Sequence, residues 1–329
     1  MGQPQLVIIS GPTATGKTAL AIELATRYGA EIISADSRQV YRHLDIGTAK
    51  PTQEQQATVP HHLIDVVNPD EPFDSARFRG LALAAIHDIV RRGKRVLVVG
   101  GTGLYLRALT RGLFAGPPAD PALRTRLYEQ ERSEGRGFLH RRLAGVDPEA
   151  AARLHPNDIV RLIRALEVFL SSGTPLSRWQ RDHGFRERPF ATLTVSLVME
   201  RETLAHRIEE RCRQMVRDGL VEEVRRVWAM GYGPELSPLQ TIGYAQIGEM
   251  LQGRYGLADA LARMARETRR LAKRQLTWLR AEPEVRWFAP TQTCEIAAAV
   301  ETFWQHPAAG KAIDSSDHCF IESLSEMDK

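Results

Sequence analysis

Eight consecutive residues near the N-terminus carry the most definite chemistry of the chain. Gly11, Pro12, Thr13, Ala14, Thr15, Gly16, Lys17 and Thr18 fit the spacing G-x-x-x-x-G-K-[ST]. Glycines in such a run let successive backbone N–H groups curl around an anionic oxygen, and the start of the next helix adds the positive end of its dipole. Lys17 neutralises charge, and the Thr18 hydroxyl can hold Mg²⁺. The run also lies where it has to. Leu6 to Ser10 is a short apolar stretch and a helical pattern follows through Tyr28, so strand, phosphate-binding turn and helix come in that order.

What the cradle holds is less settled by spacing. An ATP-hydrolysing enzyme of this kind needs a strand ending in an acid that holds the metal. Here the strong Arg95 to Val99 strand runs into Gly100, Gly101, Thr102 and Gly103 instead. Glycines and a hydroxyl at a strand's C-terminal end suit close approach to a diphosphate or a flat substrate; a tight turn needing positive φ is the other reading. Asp36 directly follows the Glu31 to Ser34 strand, which sets its carboxylate on the same sheet edge. It can ligate Mg²⁺, accept a proton, or cap the next turn. Ser37, Arg38 and Gln39 add groups able to read a base edge. His61, His62 and Asp65 lie close in sequence, but without a third spaced ligand they read as structural histidines rather than a metal site.

The elements that position these residues form an α/β pattern: apolar strands alternating with helices, which argues for a parallel sheet flanked by helices on both faces. From about Gly112 the texture changes. Gly116, Pro117, Pro118 and Pro121 break the chain, and Arg-rich helical patterns without strands run to about Phe190. The expected division is therefore a P-loop core over residues 1–113, an inserted all-helical lobe over 114–190, the second part of the core over 191–305, and a disordered tail over 306–329. Within the second part, Thr192 to Met199 returns to the sheet. Glu202 to Met230 reads as one long amphipathic helix with Gly219 as a weak point, and Val285 to Phe288 as a final edge strand.

With 329 residues, the chain exceeds what one hydrophobic core usually organises, roughly 250 to 300 residues. Its apolar runs are too short to span a bilayer, and the N-terminus lacks the pattern of an export signal, so a cytoplasmic protein is expected. Cys212, Cys294 and Cys319 are scattered as unpaired thiols. The net charge is only +4, but its distribution is uneven. Leu261 to Arg280 carries Arg263, Arg266, Arg269, Arg270, Lys273, Arg274 and Arg280 against the single acid Glu267, which suits either a polyanion-binding face or a solvated helix face.

Taken together, several blocks in one order resemble the bacterial tRNA dimethylallyltransferases, also called tRNA isopentenyltransferases. They are Gly11 to Thr18, Ser34 to Tyr41, Asp45 to Pro51, His61 to Asp65, Gly100 to Leu106, His155 to Asp158 leading into Arg161, Arg164, Ala165 and Leu166, Ile242 to Tyr244, and Ala272 to Arg280. The resemblance covers roughly Leu6 to Phe288 and implies a P-loop NTPase-like fold. It also implies transfer of a dimethylallyl group from its diphosphate to N6 of the adenosine 3′ of the tRNA anticodon, with Mg²⁺ as cofactor and a monomer as the working unit. It places the diphosphate on Gly11, Thr13, Ala14, Thr15, Gly16, Lys17 and Thr18. The acceptor nucleotide falls to Asp36, Ser37, Arg38 and Gln39. Further tRNA contacts fall to Thr102, Arg124, the segment Val160, Arg161, Leu162, Ile163, Arg164, and the segment Gln240, Thr241, Ile242, Gly243, Tyr244, Ala245. Arg217 resembles a diphosphate-binding arginine, and Asp36, Thr102, Lys17 and Arg217 make up the expected catalytic set. The family's eukaryotic members add a zinc finger; His318 and Cys319 alone do not supply one. Two rivals share the cradle: a kinase of a small metabolite, and a non-catalytic RNA-binding NTPase.

Overall fold

The computed structural model describes residues 3–306; the expected tail, with His318 and Cys319, lies almost wholly outside the described residues. Along the chain come β1 (Gln5–Ser10), α1 (Lys17–Tyr28), β2 (Ala30–Ser34), α2 (Gln53–Thr58), β3 (His61–His62), α3 (Ser75–Arg91), β4 (Arg95–Val99) and α4 (Gly103–Arg111). A helical stretch follows: α5 (Pro121–Glu134), α6 (Phe138–Val146), α7 (Pro148–Arg153), α8 (Ile159–Ser172) and α9 (Leu176–His183). Then come β5 (Ala191–Leu197), α10 (Arg201–Arg217), α11 (Leu220–Ala229), a short 3₁₀ turn (Ser237–Gln240), α12 (Tyr244–Leu251), α13 (Leu257–Arg280), β6 (Val285–Phe288) and α14 (Thr293–Gln305). The chain divides into two compact units, residues 111–188 and the remainder on either side of them.

In the larger unit all six strands pair in parallel, in the order β3-β2-β4-β1-β5-β6. Successive strand residues point to opposite faces, and both faces are apolar. Val7 and Ile9 of β1, Ile32 of β2 and Leu97 of β4 pack with α1 and α14 on one side. Leu6, Ile8, Ile33, Val96 and Val98 pack with α3 and α4 on the other. That is why these strands read as continuous apolar runs. A third cluster joins Val40, Tyr41 and Leu44 to α10, α11, α12 and α13. The helix expected over Glu202 to Met230 is two helices: Gly219, at φ 102°, breaks it and caps α11. In the smaller unit, α5 to α8 enclose a core that includes Leu127, Leu139, Leu143, Leu162 and Leu166.

The parallel order puts the carboxyl ends of β2, β4 and β1 side by side. Ile9 and Ser34 both register with Val99. The amide of Gly100 donates to the Ile9 carbonyl (3.2 Å), and the amides of Ala35 and Thr102 close the junction with the Val99 and Ala35 carbonyls. A Cβ on Gly100 would fall 2.2 Å from the Ala35 carbonyl oxygen, so glycine here answers to close backbone approach. This edge is where ligands bind in open α/β sheets.

Candidate active site

The P-loop leaves β1 through Gly11, whose φ of 135° and contact with the Leu197 backbone exclude a side chain. Inside the turn the buried Thr15 hydroxyl donates to the Pro12 carbonyl (2.9 Å), and the Lys17 amine donates to the same oxygen (2.7 Å). Gly11 and Thr15 thus shape the turn from behind. Thr13, Ala14, Gly16, Lys17 and Thr18 line a cavity of about 770 Å³, a size typical of small-ligand sites. The amides of Ala14 to Thr18 donate to no protein group among the described residues, which leaves them available to donate to an anion.

Asp36, Arg38 and Gln39 line the same cavity, with Gly100 and Gly101 below them. The Asp36 carboxylate accepts from the Arg38 amide (2.8 Å) through one oxygen, so it caps the turn while the residue also lines the cavity. Gln39 is fixed by the Ser34 hydroxyl (2.9 Å) and by donating to the Ala49 carbonyl (3.2 Å). Ser37 and Thr102 are not on the cavity wall; the Ser37 amide donates to the Thr102 hydroxyl (3.1 Å), bracing the turn that carries Asp36.

The arginine at the cradle is Arg211, not Arg217. Arg211 lines the cavity, and its guanidinium reaches the Thr13 hydroxyl (3.4 Å). Arg217, later on the same helix α10, is about half exposed and bound to Glu210 and Gln214. Residues six apart on a helix lie far round from one another, so α10 can turn only one of them to the P-loop. Burial, then repulsion from Arg211, lower the Lys17 amine to about 7, with Asp36 opposing. Burial lowers Arg211 as well.

The cavity also has an apolar lining: Ile208, Cys212 and Met215 from α10, Met264 and Leu271 from α13, and Ile242. Gln240, Thr241, Ile242 and Gly243 line the cavity as a segment, and Ala245 is half-buried. Tyr244 is not available to a ligand: it is 1 % exposed and its hydroxyl donates to Glu223. Two residues that sequence reasoning left without a role, Glu223 and Gln275, organise these walls. The buried Glu223 carboxylate accepts the amides of Asp45 (3.1 Å), Ile46 (2.9 Å) and Gly47 (3.1 Å) as well as the Tyr244 hydroxyl (2.5 Å). Gln275, on α13, accepts from the Thr13 amide (2.9 Å) and donates to the Gly101 carbonyl (3.2 Å). His61 and His62 form β3, away from this edge chemistry; His62 pairs with Glu31, whose carboxyl the Arg92 guanidinium holds down at about 2. Asp65 instead binds the buried Lys50 amine (2.6 Å).

The smaller unit carries its own polar centre. Glu167, fully buried, takes Arg124 through both oxygens (2.8 and 2.9 Å), Arg164 (2.6 Å) and the Asp120 amide (2.7 Å). Burial works against its charge, but these donors hold its carboxyl below the usual range. Arg124 and Arg164 remain partly exposed, and Val160 and Arg161 are well exposed beside them. Leu162 and Ile163 are core residues at 0 % and 2 %, so within the expected tRNA-contacting segment their side chains are buried. They fall on the inner face of α8 by its 3.6-residue period.

The IPP transferase family model matches residues 39–282. The chain belongs to the IPP transferase family. It is 52 % identical over 295 residues to the tRNA dimethylallyltransferase of Syntrophobacter fumaroxidans, covering 90 % of this chain and 86 % of that one. The full-length tRNA isopentenylpyrophosphate transferase of Bacillus halodurans superposes with a TM-score of 0.69 at 38 % identity, over 93 % of this chain and 98 % of that one. A eukaryotic dimethylallyltransferase acting on tRNA gives 0.73 at 27 % identity, over 91 % of this chain and 78 % of that one. Members of this family with this fold are prenyl-transferring enzymes, and no described helix here is long and apolar enough to cross a membrane.

Proposed function

We propose that this chain transfers a dimethylallyl group from dimethylallyl diphosphate to N6 of the adenosine 3′ of the anticodon in tRNA, releasing diphosphate. The observation that carries the reading is one cavity with three kinds of wall. It has a row of free P-loop amides backed by Lys17 and Arg211, an apolar face made by α10 and α13, and the Asp36 carboxylate. A diphosphate fits the first and a short isoprenoid chain the second. The third accepts a proton from the incoming amine.

An adenine amine is a weak nucleophile because its lone pair is delocalised into the ring. As N6 attacks the allylic carbon, the C–O bond to diphosphate breaks and the amine proton must leave. We assign this proton to Asp36, and contact with the base to Gln39 and Arg38, because all three line the cavity. Leaving-group charge is met by preorganised donors, the amides of Ala14 to Thr18, Lys17 and Arg211. The Thr18 hydroxyl lines the cavity without a protein partner among the described residues. It is a hard oxygen that would hold Mg²⁺, and the ion would supply further positive charge at the diphosphate. The base must leave its stack to reach this cavity, and RNA recognition favours such splayed loops. Arg124, Arg161 and Arg164 of the smaller unit supply cationic groups for the RNA backbone. The working unit is taken to be a cytoplasmic monomer.

Incubation with unmodified tRNA, Mg²⁺ and dimethylallyl diphosphate tests the reading. Mass spectrometry should find one added prenyl group on one adenosine; phosphate transfer from ATP, or unchanged RNA, would favour the kinase or the binding protein.

A further inference from the structure

We propose that Gln275 is a specificity-determining residue that limits the phosphate cradle to two phosphoryl groups and so excludes nucleoside triphosphates. The proposal rests on the diphosphate reading of the P-loop given above. Charge alone cannot exclude a triphosphate: Lys17 and Arg211 attract the more highly charged chain more strongly. Discrimination therefore has to come from geometry.

The cradle offers the amides of Ala14 to Thr18, which donate to no protein group among the described residues. The next amide in the row, that of Thr13, is already taken by the Gln275 carboxamide oxygen at 2.9 Å. The carboxamide nitrogen donates to the Gly101 carbonyl at 3.2 Å. One end meets a donor and the other an acceptor, so only one orientation satisfies both. The group packs directly on the sheet edge: a Cβ on Gly101 would fall 2.2 Å from the Gln275 nitrogen. Its helix is held there too, because Trp278, one turn on in α13, lies where a Cβ on Gly103 would reach, at 2.2 Å. A neutral side chain anchored to the sheet edge thus plugs the Thr13 end of the row. Two phosphoryl groups laid from the start of α1 use the free amides. A third laid along the same row needs the Thr13 amide and the volume of the carboxamide, and displacing it breaks two hydrogen bonds.

Calorimetric titration of the full chain with pyrophosphate and with tripolyphosphate, each with Mg²⁺, tests this. The native protein should prefer pyrophosphate. Gln275→Ala should raise tripolyphosphate affinity relative to pyrophosphate by about tenfold, the scale of losing one or two such bonds. Gln275→Asn, which withdraws the carboxamide by one methylene and disturbs packing less, should move the ratio the same way. A native protein without preference, or a ratio within twofold of native in both variants, overturns the proposal. If Lys17→Ala leaves pyrophosphate binding unchanged, the diphosphate assignment itself fails, an outcome separate from the ratio.

Discussion

Lys17 shows how one residue links the cradle to pH. Its folded value is near 7 against an ordinary 10.5. Between these the unfolded chain holds a proton that the ligand-free protein lacks, so this group's contribution to stability rises as pH rises through that window. A bound polyanion restores the charge. Diphosphate binding at pH 8 should therefore take up a proton at Lys17, read by calorimetry in buffers of different ionisation enthalpy, and the Lys17→Met variant should lose that uptake. Asp36 combines a turn acceptor with a cavity-facing carboxylate, and Asp36→Asn separates them. The amide can still accept from Arg38 but takes no proton. Turnover should fall by about 10²- to 10⁴-fold, the usual worth of a general base, with tRNA affinity nearly unchanged; near-normal turnover would remove Asp36 from that role. The two arginines of α10 should also part company. Arg211→Gln should lower kcat/KM by about 10²-fold, as loss of one preorganised charge donor does. Arg217→Gln should stay within about twofold in the same steady-state assay, since surface ion pairs contribute little.

At the scale of elements, the cavity walls depend on buried carboxylates that organise loops. Glu223 draws the amides of Asp45 to Gly47 onto α11, and the Tyr244 ring lies where a Cβ on Gly47 would reach, at 2.4 Å. This fixes the loop whose Ala49 carbonyl receives Gln39. Glu223→Ala leaves those amides and a buried hydroxyl without an acceptor. Denaturant unfolding should show a loss of roughly 3 kcal/mol or more. A loss under about 1 kcal/mol would mean that water replaces the carboxylate. Glu167 does the same in the smaller unit, where it pins Arg124 and Arg164 with their outer sides still exposed.

For the molecule as a whole, the modest net charge hides a basic distribution. Arg263, Arg266, Arg269 and Arg270 crowd α13, although Glu209 and Glu267 neutralise part of it. Arginines presented by the smaller unit add to this. RNA binding through such groups releases counterions, so tRNA affinity should fall at least about tenfold between 50 and 200 mM salt. A filter-binding series with a flat salt response would argue against backbone contacts. The parallel sheet makes the rest possible: strands far apart in sequence end on one edge, and the P-loop, Asp36 and Gly100 meet there.

The P-loop, five of the six strands and Asp36 were legible in the sequence because each depends on local order: apolar runs, a glycine spacing, an acid straight after a strand; β3 (His61–His62) has no apolar run and forms only by pairing with β2. The chain also announced its helical insertion, through proline breaks and lost strand pattern. Tertiary structure alone decided which members of look-alike sets face the ligand. α10 carries several arginines that sequence cannot rank, and its packing against the cradle selects Arg211. Tyr244 sits in a segment whose neighbours line the cavity yet faces inward, whereas the inward face of Leu162 and Ile163 follows from the apolar period of α8 and could have been read locally. Gln275 reaches a residue 262 positions away, and Glu223 a loop 176 to 178 away. A side chain's partner across such distances is fixed by how helices dock on the sheet, which no local pattern encodes.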